Sequence, residues 1–228
     1  MIGIVIPVHN EERLLGRCLD SVLTASRHEA LDGERVRVVV VLDSCSDSSE
    51  AVAQNAGVEI VRIEARMVGA ARAAGANILV SRGARWLSFT DADSYVAPDW
   101  LVRQLEIGAN AVCGTVQIDQ WDNQPESLRR IWCERYHDAD GHRHVHGANL
   151  GVSVWAYERA GGFPSLTCSE DLALVDAIIA AGIPVVWSAS PRVATSARTQ
   201  ARVGGGFGDT LARWAQEGAN SGGSSLVA

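Results

Sequence analysis

The chain has 228 residues, 47% of them hydrophobic, and a formal net charge of −7. That length builds one substantial core but not two comfortable domains, and the hydrophobic share excludes a disordered chain. The negative balance argues against a nucleic-acid groove binder, which needs a basic footprint, but not against a phosphorylated small molecule held by a few local cations.

Residues 2–7 form a short, continuous apolar run rich in β-branched side chains, the pattern of a strand buried on both faces. Residues 10–24 follow with Leu14, Leu15, Cys18, Leu19, Val22 and Leu23 at helical spacing, Asn10 as the expected N-cap, and Glu11 and Glu12 in the first turn. A second buried strand over 36–42 leads to a helix capped by Ser46 or Asp47 and ended by Gly57. A third strand covers 58–63, an alanine-rich helix 68–81, a fourth strand 86–90 and a helix 99–110. Strand and helix alternate throughout this half, which predicts a mostly parallel sheet with helices on both faces.

The second half is less regular. A strand is expected over 112–118, with an antiparallel orientation open to it, and a helix over 125–137. A strand with a bend at Gly147 is expected over 145–155, and a short helix or turn closes at Gly161-Gly162. A helix over 169–181 ended by Gly182 and a strand over 184–187 complete the expected elements, and residues 216–228 read as a flexible tail. The organisation expected is one domain over 1–215, with a nucleotide-binding half at 1–110 and an acceptor-side half at 111–215. Five cysteines, an odd number without a CxxC, argue against a disulfide framework and for reduced thiols in the cytoplasm. No signal-peptide pattern precedes the first strand, and no apolar run reaches the roughly 18 residues needed to cross a bilayer. Peripheral membrane contact and a homodimer both stay open.

In open α/β sheets ligands sit beyond the carboxyl ends of the strands. His9-Asn10, Asp43-Ser44 and Asp91-Ala92-Asp93 all lie at such ends. Two acids one residue apart can share a hard divalent cation, and that cation can neutralise a diphosphate. Alone, the acid pair also reads as a turn before a helix cap.

With its surroundings, the acid pair belongs to a longer pattern. Residues Ile4-Val5-Ile6-Pro7-Val8-His9-Asn10-Glu11-Glu12 come first, then Val40-Val41-Leu42-Asp43-Ser44-Cys45-Ser46-Asp47. Gly69-Ala70-Ala71-Arg72, Phe89-Thr90-Asp91-Ala92-Asp93, Gly161-Gly162-Phe163 and Ser169-Glu170-Asp171 follow in that order. Over about residues 2–200 the chain resembles a family-2 glycosyltransferase of the GT-A fold. The resemblance implies a Rossmann-like, mostly parallel sheet with helices on both faces and a small antiparallel acceptor-side extension. It also implies an inverting, metal-dependent transferase, with a hexosyl donor expected, that moves a sugar from a nucleotide-diphosphate sugar to a hydroxyl acceptor, with Mg²⁺ or Mn²⁺ as cofactor.

The same resemblance assigns roles. Pro7, His9 and Glu11 border the base and ribose, and Asp43 accepts hydrogen bonds from them. Arg72 lies near the diphosphate, though it reads equally as a solvated helix residue. Asp91 faces the ribose or sugar beside Ala92, Asp93 ligates the metal with Asp91, and Asp171, helped by Glu170, is the general base. Arg198 and Arg202 lie in a hydroxyl-rich stretch before Gly204-Gly205-Gly206, which reads either as an exposed loop or as a loop closing over the donor. His9 replaces a usual aromatic, Asp43-Ser44 a more acidic turn and Ala73 a frequent asparagine, which leaves the base of the donor open.

On the acceptor side, His144 or His146 is placed to reach a phosphate or an acceptor hydroxyl, and Asn149 and Trp121 to contact the acceptor. Cys133, His137, His142, His144 and His146 cluster at spacings that match no standard zinc motif. Two other readings remain. A nucleotidyltransferase usually carries a glycine-rich basic loop where Pro7-Val8-His9-Asn10 stands, and a non-catalytic nucleotide-sugar-binding module would not need the acid pair. A dehydrogenase is disfavoured because no GxGxxG follows the first strand.

Overall fold

The computed structural model describes residues 1–121, 124–166, 168–199 and 206–222. Its first half is built from strands β1 (Ile2–Val8), β2 (Val36–Asp43), β3 (Glu59–Ile63) and β4 (Trp86–Phe89), with helices α1 (Leu15–Ala25), α2 (Ser49–Asn55) and α3 (Val68–Ser81) between them. All seven residues of β1 are buried, because parallel neighbours flank it on both sides, Ile2 facing Val36 of β2 and Trp86 of β4. Its side chains alternate between two cores. Ile2, Ile4 and Ile6 join Leu15, Leu19 and Val22 of α1, whereas Val5 joins Val39, Val41 and Leu79 on the opposite face. Helix α3 lies close enough to the sheet that a Cβ on Gly75 would stand 2.5 Å from Val5, and one on Gly3 would stand 2.7 Å from Leu79. Small residues at this contact set the depth of α3, and with it the position of Arg72.

Two three-residue strands surround the acid pair. β5 (Ser94–Val96) starts directly after Asp93 and pairs antiparallel with β9 (Val193–Thr195), which ends just before Ser196. Between them lie α4 (Trp100–Glu106), β6 (Ala111–Gly114), α5 (Glu126–Arg135), β7 (Leu150–Ser153), α6 (Val154–Arg159), α7 (Glu170–Ala180) and β8 (Val186–Ser188). The chain ends in α8 (Phe207–Gly222). The main sheet runs β3-β2-β1-β4-β7-β6-β8. β7 is antiparallel to both of its neighbours, and the other pairings are parallel. The mostly parallel sheet is the one that the alternation of strands and helices leads one to expect, and a small antiparallel sheet accompanies it as the resemblance implies, although neither β5 nor β9 is among the expected strands.

Several local expectations are corrected. Asn10 does not cap α1: it has a φ of 54°, and its side-chain oxygen accepts the Ser46 N–H at 2.7 Å, tying the end of β1 to the turn after β2. The strand expected over 145–155 is a 3₁₀ turn (Gly147–Asn149), the strand β7 and the start of α6, because Ser153 accepts the Ala156 N–H and caps a helix there. Helix α8 runs through residues 216–222 of the expected tail, because it packs on α5 and buries Leu211 completely; residues 223–228 lie outside the described residues. No helix among the described residues is long and apolar enough to cross a membrane. All five cysteines are free.

Candidate active site

The carboxyl ends of β1, β2 and β4 open into a cavity of about 830 Å³, closed on its far side by α5, the start of α7 and the start of α8. Pro7, His9, Glu11, Asp43, Arg72, Asp91, Ala92, Asp93, His144, His146, Glu170, Asp171 and Arg198 all line it. Residues from both ends of the chain thus meet in one space, as the strand-end argument requires.

Two arginines organise the acids. Arg72 rises from α3 and is almost fully buried, donating from Nη2 to Asp91 Oδ1 at 2.5 Å and from Nη1 to Glu170. Gly147 permits this, since a Cβ there would stand 2.3 Å from the guanidinium. Burial works against the Arg72 charge, but Asp91, Glu170 and Asp171 outweigh it and hold the group above its ordinary range. The same enclosure raises Asp91 and Glu170 above the usual carboxylate range, with Arg72 countering only in part.

Arg198 forms the second cluster at the mouth. It donates to Glu11 at 2.9 and 3.3 Å and to Asp93 Oδ2 at 2.6 Å, and the Ser196 hydroxyl donates to the same oxygen at 3.1 Å. The β5–β9 ribbon brings these groups together, and the Ser94 and Thr195 hydroxyls bond across it at 2.9 Å. Around the acid pair, five carboxylates (Glu11, Asp91, Asp93, Glu170 and Asp171) face two guanidiniums. That excess of hard anionic oxygen suits a divalent cation held by one or two carboxylates, with a diphosphate completing its shell. Asp91 and Asp93 are the residues that would hold it. Among the described residues, no group of three or more His, Cys, Asp or Glu side chains forms a self-sufficient metal centre, and Cys133 and its neighbouring histidines are no exception. His142 Nε2 instead bonds to the Cys113 carbonyl at 3.1 Å, and His144 Nε2 accepts the His137 N–H at 3.3 Å.

Asp171 opens α7 at the cavity wall. Its Oδ2 accepts the Gly147 N–H at 2.8 Å and its Oδ1 accepts the Leu172 N–H at 2.8 Å, so the carboxylate is fixed while one edge still faces the cavity. Glu170, expected beside it as a catalytic partner, is a buried counter-ion of Arg72 instead.

Asp43 lines the cavity, yet most of its carboxylate is engaged. Oδ1 accepts the Ala65 and Arg66 N–H groups, each at 2.8 Å, and Oδ2 accepts the Met67 N–H at 2.8 Å. Burial opposes its charge, and these backbone donors together with the Ser44 hydroxyl hold it below its usual range regardless. Asp43 therefore first shapes the loop before α3, in which Arg66 adopts a φ of 51° and reaches the cavity rim. Little of its carboxylate remains for a base or ribose. His9 is fixed by its Nδ1–H donating to the Asp43 carbonyl at 2.6 Å.

Two expected acceptor residues do not reach the cavity. Trp121 packs edge-on against Trp132, with centroids 6.3 Å apart, and lies partly buried against the core. Asn149 is buried, with its side chain fully used by Trp100, Thr115 and Pro191. His146 does line the cavity. Burial, then His144 and His142, push its pKa down to about 3, so it is neutral near pH 7. Arg202 lies outside the described residues. Sequence reasoning missed Tyr136, Phe207 and Trp214, which also line the cavity, and no local motif marks them.

A family model described as Glycosyl transferase family 2 matches residues 3–154. No curated protein matches the chain. Among solved structures, the mannosyltransferase PcManGT from Pyrobaculum calidifontis, in complex with GDP-Man and Mn²⁺, superposes with a TM-score of 0.65 at 14% identity, over 100% of this chain and 76% of that one. S. aureus TarS superposes with a TM-score of 0.62 at 15% identity, over 86% of this chain and 36% of TarS. TarS 1-349 in complex with UDP gives 0.62 at 15% identity, over 86% of this chain and 60% of that one. The chain thus spans about a third of full TarS.

Proposed function

The chain belongs to glycosyl transferase family 2, and from that premise we propose that it transfers a sugar from a nucleotide-diphosphate sugar to a hydroxyl acceptor, with inversion and with help from a divalent cation. One observation carries the reading: the acid pair at the end of β4 and Asp171 at the start of α7 line a single cavity. The neighbour bound to GDP-Man and Mn²⁺ and the neighbour bound to UDP support this class of donor and cofactor.

When bound at Asp91 and Asp93, a cation offsets the charge that develops on the departing diphosphate. Arg198 is the residue that must give way for this, and the incoming phosphates supply it with replacement partners. Arg72 stays in place and fixes Asp91 and Glu170 before the substrate arrives. Asp171, held by the Gly147 and Leu172 N–H groups, takes the proton of the acceptor hydroxyl as that oxygen attacks the anomeric carbon. A single carboxylate at the attacking side suits one displacement, and hence inversion. Five free cysteines support a reducing compartment such as the cytoplasm.

Incubating the protein with UDP-, GDP- and dTDP-sugars and Mn²⁺ tests the proposal. One donor should be slowly hydrolysed, and chelation of the metal should stop it. Binding without turnover for every donor and acceptor would instead mark a non-catalytic nucleotide-sugar module.

A further inference from the structure

The cavity has two unlike walls. Around the acid pair its lining is charged. Opposite, Trp132, Tyr136, His144, Phe207 and Trp214 line it together with Val116. The rings on this wall pack on one another. Tyr136 stacks on Trp132 with centroids 3.9 Å apart at 14°, and on His144 with centroids 4.3 Å apart at 9°. Two parallel rings at those spacings cannot share one face, so Tyr136 lies between them. Phe207 meets Trp132 edge-on at 5.5 Å, and Trp214 tilts onto it at 6.1 Å.

The hydroxyl of Tyr136 and one ring nitrogen of His144 are engaged within the wall. The Tyr136 hydroxyl accepts the Val116 N–H at 2.8 Å and bonds to His146 Nε2 at 2.9 Å. His144 Nε2 is taken by the His137 N–H. Arg135, Arg143 and Thr210 line this side as well, but Arg135 is paired with Glu217 and lies over the Trp214 ring, and Arg143 lies over Trp187, so among the described residues the wall is mainly aromatic.

This apolar wall adjoins the base. The His146 ring contacts Tyr136 and Phe207, and the next residue, Gly147, holds Asp171. The apolar lining also continues outward. Leu172 lines the cavity and is 46% exposed, and Ile179, two turns on along the same face of α7, is 50% exposed. A carbohydrate acceptor placed here would lose the hydration of its hydroxyls against a largely aromatic surface that replaces only part of it. An apolar body loses nothing and removes its surface from water.

On the premise that the chain is the transferase proposed above, we infer that its acceptor is an alcohol with an apolar alkyl or aryl body, seated against the Trp132–Tyr136–Phe207–Trp214 wall with its hydroxyl at Asp171, and not a carbohydrate. In the transfer, the bond between the anomeric carbon and the diphosphate oxygen breaks and its electron pair leaves with the diphosphate. The acceptor oxygen bonds to the anomeric carbon, and its proton passes to Asp171.

The test uses the donor found in the panel above and a series of 4-alkylphenols, with maltose and N-acetylglucosamine as carbohydrate acceptors. The inference expects transfer to the alkylphenols, with KM falling about fourfold per added methylene until the wall is covered, and none to the sugars. Transfer to the sugars in preference, or no dependence on chain length, overturns it. Should no donor be consumed, the transferase reading fails separately, and calorimetry of 4-hexylphenol with the protein still decides the inference. Binding with a negative heat-capacity change that weakens at least about tenfold in both Phe207→Ser and Trp214→Ser upholds the apolar wall. Absence of binding to the unsubstituted protein overturns it.

Discussion

The two arginine clusters of the cavity use the same chemistry in opposite settings. Arg72 and Glu170 are each only 4% exposed, and the backbone of Gly147 closes over the guanidinium. Arg198 is 32% exposed, sits at the mouth, and holds Asp93 and Glu11 from the segment that follows the short β5–β9 ribbon. A buried guanidinium that loses its partners cannot be rehydrated without unfolding its surroundings, whereas one at the rim exchanges carboxylate for phosphate at small cost. The deep cluster is framework, and the shallow one is a replaceable partner for the acid that would hold the metal.

Removing Arg72 gives the largest effect on stability. Arg72→Met should destabilise the fold by about 3–5 kcal/mol, because it leaves the buried Glu170 carboxylate without its cation. Urea denaturation measures this, and a loss below about 1 kcal/mol would erase the distinction between the clusters. Asp43→Ala comes next. It strands the Ala65, Arg66 and Met67 N–H groups and should cost about 1–3 kcal/mol, with hydrogen exchange rising first in the loop before α3.

Acid pH sharpens the contrast from another side. His146 has a pKa of about 3 in the fold and an ordinary one near 6.5 when unfolded, so between those values the unfolded chain binds more protons. Stability is therefore full above about pH 6.5 and falls as pH drops towards 3. His146→Phe should flatten that slope in a pH series of melting temperatures, and an unchanged slope would show that His146 does not cause it. The smallest stability change belongs to Arg198→Ala, at about 0–1 kcal/mol. Its effect lies elsewhere. Mn²⁺ should bind the nucleotide-free variant more tightly than the unsubstituted protein, as read by electron paramagnetic resonance, while donor turnover falls. Unchanged Mn²⁺ binding and kinetics would remove Arg198 from the account.

The deep cluster sits in the part of the chain that is most legible in sequence. Strands buried on both faces leave continuous apolar runs, so β1, β2 and β4, and the acids at their ends, stand out from the residue pattern alone. Helix α3 spans the expected residues because its alanines and glycines serve both helix propensity and close packing on β1. The shallow cluster is harder to see. β5 and β9 are three residues each, and their pairing joins Ser94 to Thr195 across 101 positions, which no local pattern encodes. Helix α8 contains several glycines and has weak intrinsic propensity. It forms because Leu211 is fully buried and Gly218 lets it approach Ser127 closely.

Roles are less legible than places. Asp43 and Glu170 are where the strand-end and helix-start arguments put them, but tertiary donors claim their carboxylates. Trp121 stands in a polar stretch that suggests exposure, yet it packs edge-on against Trp132 and is half-buried against the core. The apolar wall has no motif at all, since its rings come from α5 and the residue after it, the 142–146 loop and α8.

A crystal soaked with the nucleoside diphosphate of the preferred donor and Mn²⁺ tests the central claim most directly. The account predicts anomalous density for manganese between Asp91, Asp93 and the diphosphate, Arg198 moved from Asp93 onto a phosphate, Arg72 unmoved, and Asp171 facing the same space. Nucleotide bound elsewhere, or manganese away from Asp93 with the Arg198 pair intact, would contradict it.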